Sequence, residues 1–504
     1  MWTRWQMHGV GLAAIVVALV GVSSAQAADR KWTEAKGPNF TVISDNGSKT
    51  AQRVAWELEQ MRAGLQKTLP WSAITFDRPY VVLATQDEQG MKALVPAFWE
   101  SGSNFILASS VAKGADRDWA ALRSDLLADD KQGRVNPYKY LYSAYAARVI
   151  SEQLGNGMPM WVFRGLRELM SNTLVRQSEV IVGMVERNTL DIVRGGERPR
   201  LRDLATADRT STWLAHEERE RVFDAASGIF VHYLMFGQEG ALRPKFAQLL
   251  QLLAEDVPPM EAFRKTLGEP DALEDAFRLY LNGRVFNYAG SPSDIRIPRD
   301  TIPTRELTGA QAAAERARWH VAMGRAKEAR ALLAEAMALQ AALPAIAEVE
   351  GTLYDTERNS AAARTAYARA IEQGSTNFFV HYRWASLTWS GPSLDSAAGA
   401  QVIKALTQAN ALAPQYATAF VLLADVHSRL GSNDEAVTAA VTAVRLRPTR
   451  SEPRQVLAAA LWRAGQKERA REEAQRAVRL AESASERQEA LELLPALERE
   501  SPRQ

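Results

Sequence analysis

The sequence predicts a chain in two parts, an α+β domain followed by an all-α array of helical hairpins. Three observations carry that reading. Short apolar runs alternate with helical periodicity between Lys31 and Ser109, and two amphipathic helices follow. Roughly 200 C-terminal residues then shift to an Ala, Arg, Leu and Glu composition typical of helical repeats. From Leu307 onward a period of about 34 residues recurs, with Gly431 and Gly465 one period apart.

Taken in order, the first 27 residues read as an export signal. Arg4 supplies the basic start, Gly9–Val22 the apolar core and Ala25-Gln26-Ala27 the small-residue cleavage site, so the mature chain is expected to begin at Ala28. The apolar run is too short, and too quickly followed by polar sequence, to favour a stable membrane anchor, with a retained anchor as the alternative. The expected location is a bacterial periplasm or the exterior. No cysteine occurs, which excludes disulfides, thiolate metal sites and lipid attachment at cysteine. A net charge of +2 on 504 residues, with arginines dispersed, gives no nucleic-acid signal.

Lys31–Ala35 and Phe40–Ser44 read as strands about a Gly37-Pro38 turn. Val54, Leu58, Met61 and Leu65 recur at spacings of three and four, which predicts a helix from Thr50 to Leu69, stopped by Pro70. Pro79–Ala84 is a buried strand, Glu88–Leu94 a short helix and Asn104–Ser109 a further strand; Arg123–Gly133 reads as a loop or frayed helix. Helices are expected at Pro137–Leu154, from Trp161, at Leu174–Leu190 with Val180, Ile181 and Met184 inward, at Phe223–Gly237, and once or twice within Pro258–Leu281. Residues 28–289 thus form the first domain, 290–306 a Pro- and Ser-rich linker, and 307–500 the repeat domain of about five hairpins plus a cap.

The stretch Tyr142–Asn172 resembles the core of gluzincin-type (peptidase MA-like) zinc peptidases. In that family one helix carries H-E-x-x-H, whose histidines at i and i+4 share a face and reach one Zn²⁺, while the adjacent glutamate activates the bound water. A second helix, opening on a W-L-x-E-G-L-A-E-like phrase, brings the third ligand. Here Tyr145, Trp161, Gly165, Leu166 and Glu168 match, but the ligand positions hold Ser143, Ala147 and Arg164, and the general-base position holds Ala144. Alanine cannot coordinate metal, and a guanidinium opposes Zn²⁺. The resemblance therefore implies a peptidase fold with a degenerate zinc motif, no metal and no cofactor. Arg164 and Glu168, one turn apart, are expected to form an intrahelical pair in place of the metal charge. In relatives an edge strand ahead of the zinc helix pairs with extended substrate; Asn104–Ser109 is the candidate, although an ordinary α+β core uses the same pattern.

Six histidines occur, His8 within the export signal, and no two stand at metal-ligand spacing. His216-Glu217 is followed by Glu220 rather than histidine at i+4, and His232, among Ile229, Phe230, Val231 and Tyr233, reads as a hydrogen-bonded core residue.

The C-terminal period resembles tetratricopeptide (TPR) repeats. One unit keeps Gly351, Tyr354, Ala363, Tyr367 and Ala370; another Leu423, Ala424, Ala436, Ala443 and Pro448; a third Leu457, Ala458, Gly465, Ala470 and Ala474. The unit from Phe378 is irregular around Gly391-Pro392. Such an array implies a groove for a protein or peptide partner. His381, Tyr382, Arg383, Trp384 and Trp389 are the candidate binding residues, because aromatics and arginine dominate hot spots; packing of the irregular unit explains them equally. Three functions follow. The first is an exported, non-catalytic protein-binding scaffold. The second is an active zinc peptidase with an unrecognised ligand set. The third is a metal-free hydrolase using Ser143, with no histidine near it in sequence.

Overall fold

A computed structural model describes residues 30–102, 105–126, 136–155, 158–208, 210–255, 257–292, 298–389, 396–481 and 483–499. The export-signal reading, Asn104, Asn156-Gly157 and the Gly391-Pro392 insertion lie outside them. The first part runs β1 (Thr33–Lys36), β2 (Phe40–Ser44), α1 (Gly47–Thr68), β3 (Tyr80–Thr85), α2 (Glu88–Leu94), α3 (Pro96–Glu100), β4 (Ser109–Lys113), β5 (Asp118–Arg123), α4 (Lys139–Leu154) and α5 (Met160–Ser171). It continues with β6 (Leu174–Val175), β7 (Glu179–Val182), α6 (Arg187–Arg194), α7 (Leu201–Thr206), α8 (Glu217–Phe236), α9 (Arg243–Ala254), α10 (Pro259–Leu267), α11 (Pro270–Leu281), β8 (Ala289–Pro292) and β9 (Thr304–Glu306).

The main sheet has the order β4-β5-β3-β2-β1-β9. Every residue of β3 (YVVLAT) is buried, as a central strand requires, with β2 parallel on one side (Val42↔Val82) and β5 parallel on the other (Val82↔Ala120). Side chains alternate between faces. Phe40, Val42, Tyr80, Val82, Ala120 and Leu122 pack on α1 and α4, while Ile43, Val81, Leu83, Trp119 and Ala121 join α2 on the opposite face.

Several expectations are corrected here. The edge strand is β4, Ser109–Lys113, rather than Asn104–Ser109; Phe105 and Ile106 are exposed. It turns back through Gly114 into β5, a strand the sequence reading did not assign. Leu174–Leu190 is not one helix: β6 and β7 form a hairpin, and helix begins only at Arg187. The β-branched run Val180-Ile181-Val182 suits a strand, and Val180 packs where Gly64 of α1 leaves no side chain in its way. The linker assigned to 290–306 is woven into both sheets: β8 pairs with β7, β9 pairs with β1, and Leu307 N–H donates to Trp32.

Gly165 of α5 sits against α8, where an added Cβ would lie 2.5 Å from the Ser227 carbonyl oxygen; Gly228 of α8 faces Glu168 as closely. Trp161 fills the resulting core with Phe230, Phe246 and Phe263, their ring centroids 5.0–6.3 Å away. The W-x-x-x-G-L phrase is thus explained by helix packing.

The second part is five helical hairpins: α12 (Gly309–Ala322) with α13 (Ala326–Leu339), α14 (Pro344–Thr356) with α15 (Ser360–Glu372), α16 (Phe378–Trp389) with α17 (Ser396–Leu412), α18 (Ala417–Arg429) with α19 (Asn433–Leu446), and α20 (Ser451–Arg463) with α21 (Lys467–Leu480). Helix α22 (Ala484–Arg499) follows. Gly324, Gly431 and Gly465 take left-handed φ in the turns. The first hairpin also completes the sheet domain: Trp319 stacks edge-on against Trp119 at 6.2 Å, and its indole N–H donates to Leu94. The two parts share a core.

Candidate functional site

The outward face of α4 is where the peptidase resemblance places its chemistry. Ala144, Ala147, Arg148 and Ser151 on that face line a cleft of about 490 Å³. The edge strand β4 forms another wall through Val111, Ala112 and Lys113, and Arg450, at the turn between α19 and α20, reaches it from the array. Ser143 is half-buried one residue outside this lining. Arg164 is turned elsewhere, toward α8, where it meets Asp224 at 2.5 Å and Glu220 at 2.8 Å. Burial opposes its charge, but these carboxylates raise its pKa. The expected intrahelical pair with Glu168 does not form: Glu168 is held by Lys139 at 2.6 Å and by Asn172.

These residues do not fit a zinc ion. A hydroxymethyl group (Ser143) and a methyl group (Ala147) stand at two of the aligned ligand positions, and the third carries a cation already neutralised by α8. Among the described residues no three His, Asp or Glu side chains converge as a ligand group. His232 is a core residue bonded to the Tyr280 hydroxyl at 2.6 Å and the Gly183 carbonyl at 2.7 Å; burial lowers its pKa to about 4. His216 precedes α8, accepting the Glu220 N–H through its backbone carbonyl.

The cleft floor is an ion network spanning both parts of the chain. Asp77 accepts from Arg148 and from Arg447, each at 2.6 Å; Arg447 also meets Glu152 at 2.6 Å. Asp118 pairs with Arg148 and lies 3.7 Å from Arg78. Burial lowers Arg148 to about 10 in spite of Asp77, and the charges of Arg78 and Arg447 push the same way.

A second network closes the groove at the start of the array. The tight β4–β5 turn, Gly114 to Arg117, projects into the first three hairpins. Arg318 of α12, 3% exposed, donates to Asp116 at 2.9 Å and to Glu348 of α14 at 2.7 Å. Asn377, ahead of α16, donates to both carboxylates, and Ser375 to Glu348. Ala115 packs on the apolar cluster of α14–α16. This part of the array therefore already holds a loop of its own chain.

The five aromatic and basic residues of α16 do not converge on one groove. Tyr382 packs on Phe379 and Tyr416; Arg383 clasps Asp355 of α14 at 2.5 and 2.7 Å; Trp389 donates to Asp425 of α18. These three join successive hairpins. His381, bonded to the Ser375 carbonyl, and Trp384 line a separate, mostly apolar groove of about 430 Å³ between α15 and α17. The sequence reading missed the β4–β5 turn, whose signal was present: Gly-Ala-Asp-Arg between the runs Val111-Ala112 and Trp119–Leu122.

No family model matches the sequence, and no curated protein matches it. Among solved structures, YrrB, a TPR protein described as having an unusual peptide-binding site, matches at 15% identity and a TM-score of 0.32, over 36% of this chain and 92% of that one. MamA matches at 17% identity and 0.30, over 35% and 93%; PilF of Pseudomonas aeruginosa at 17% and 0.29, over 39% and 93%. Likenesses this low add nothing to the geometry already described. The TPR-like array stands on its paired helices and its recurring turn glycines.

Proposed function

We propose that the chain is an exported, non-catalytic protein-interaction scaffold: a degenerate peptidase MA-like domain fused to a TPR array. The supporting observation is the cleft between α4 and β4. On the α4 face that the resemblance assigns to zinc, Ala144 and Ala147 offer space and no ligand, beside the open edge of a strand. Such an edge receives an extended main chain, and binding needs none of the groups that cleave a peptide bond. The β4–β5 turn fills the groove of the first hairpins, so partner binding falls to this cleft and to the later hairpins rather than to the whole TPR groove.

Metal content of the mature protein, measured by mass spectrometry after dialysis against trace zinc, tests the reading. The expected result is a zinc-to-protein ratio near zero, an unchanged melting temperature with zinc, and no cleavage of a peptide library. Near-stoichiometric zinc lost in His216→Ala or His232→Ala would replace this reading with the metallopeptidase one. N-terminal sequencing of the chain from a periplasmic extract tests export, with Ala28 expected first.

A further inference from the structure

The groove of about 430 Å³ between α15 and α17 is ringed by polar groups without partners. It is walled by the second helices of the second and third hairpins, with α16 beneath them. The β4–β5 turn is held elsewhere, by Arg318 and Asn377, and does not line it. Ile371 and Trp384 make the groove apolar, and the small Ala368 and Ala405 leave a space that a large side chain would fill.

Among the described residues, the side chains of Glu372 on α15 and of Gln401, Lys404 and Gln408 on α17 make no hydrogen bond or ion pair. Neither does the indole N–H of Trp384. His381, 7% exposed, donates from Nε2 to the Ser375 carbonyl at 3.0 Å, since a carbonyl only accepts. Its Nδ1 is left as an acceptor with no described partner, in a side chain that lines the groove. A solvated glutamine or lysine needs no explanation. An open indole N–H and a buried imidazole nitrogen about one apolar space do.

These groups choose between occupants. They include donors, from Trp384 and Lys404, and acceptors, from His381 and Glu372, while both glutamine amides supply each. An extended main chain needs both functions; a helix, whose peptide groups bond to one another, needs neither. Gln401 and Gln408 stand two turns apart on α17, about 10 Å along its axis. That matches about three residues of extended chain. Lys404 lies between them and Glu372 on the opposite wall, so the two rims differ in charge.

We infer that this groove binds an extended segment of a partner protein, with one large apolar side chain seated on Trp384 and Ile371, an acidic residue toward Lys404 and a basic residue toward Glu372. This rests on the scaffold reading above and gives it a site on the array and a class of ligand.

Fluorescence anisotropy on the full mature chain tests it. The probes are two labelled, amidated heptapeptides, Ser-Lys-Ser-Phe-Ser-Glu-Ser and the same residues in reverse order, which cover both chain directions. One of the two is expected to bind, and its counterpart with Ala for Phe about tenfold or more weakly. Lys404→Glu should weaken the Phe peptide about tenfold, and exchanging the peptide's Glu for Lys should restore binding to that variant. Trp384→Phe, which keeps an aromatic ring and removes the indole N–H, should cost about fivefold. Ala368→Trp, which fills the groove, should abolish binding. Lys404 is exposed, and an unchanged melting curve checks the fold of each variant.

Equal binding of the Phe and Ala peptides would overturn the apolar anchor. Binding indifferent to both Lys404→Glu and Ala368→Trp would place it elsewhere on the molecule. Binding only of a stapled helical peptide with Phe, Lys and Glu on one face would make the occupant a helix and overturn the extended chain. A dimer in sedimentation that Ala368→Trp dissociates would make the occupant a second copy. Binding of neither heptapeptide would overturn this site, while a zinc ratio near zero would leave the scaffold reading standing.

Discussion

Two clusters of buried charge hold the sheet domain against the helical array, and they are finished differently. At the β4–β5 turn, Asp116 and Glu348 share Arg318, and Asn377 and Ser375 supply further donors. Burial alone would raise the Asp116 carboxyl, but Arg117 and Arg318 hold it down to about 2. Burial likewise opposes charge on Arg318, yet its three neighbouring carboxylates raise its pKa. Each group is stabilised as an ion. In the cleft, burial lowers Arg148 to about 10, and Arg78 and Arg447 push the same way. The first cluster gathers carboxylates about one cation; the second gathers cations about Asp77 and Asp118. Position alone does not distinguish them, since both lie between the two parts. The match of charge to charge does.

Breaking the Arg318 cluster should have the largest effect. Arg318→Ala leaves Asp116 and Glu348 buried without their shared cation, which costs about 3–5 kcal/mol. Urea unfolding should show that loss, and the α12 contacts of Trp319 should loosen with it, read as a change in tryptophan fluorescence. A loss below about 1 kcal/mol would mean the turn does not clamp the array.

Acid separates the two clusters by about 2 kcal/mol. The folded-state pKa of Asp116, about 2, lies below its ordinary 3.8, so its stabilisation is fully present above pH 4. It is lost as pH falls from about 4 through 2, a difference of about 2 kcal/mol. Asp116→Asn should flatten that part of the stability profile. Lys113→Glu, in the cleft, should leave it unchanged. Unfolding midpoints collected across that range decide the matter.

How far the sequence announced this arrangement depends on how local each feature is. Helix α2 was legible at both ends because its stop and start are local: Asp87 caps it by accepting the Gly90 N–H. Strand β5 was not. Asp118-Trp119-Ala120-Ala121 has little β-branched character, and its burial comes from β3 and β4 on either side. The more apolar run Asn104–Ser109 attracted the strand assignment, but the Gly114 turn sets the register and leaves Phe105 and Ile106 outside. Residues 290–306 looked like a linker from their Pro and Ser content, because pairing with β1 and β7 is a long-range property. The same holds for the candidate site. The peptidase resemblance directed attention to the α4 face through Ala144 and Ala147, whereas the cleft there also takes Arg78, Lys113 and Arg450, which only the fold brings together.

The smallest stability effect sharpens the comparison most. Lys113→Glu alters an exposed charge at the end of β4, so it should change stability by no more than about 0.5 kcal/mol, read from urea unfolding. Arg318→Ala makes the complementary case, with a large stability loss. If instead Lys113→Glu destabilises as strongly as Arg318→Ala, the end of β4 belongs to the contact between the two parts rather than to its rim.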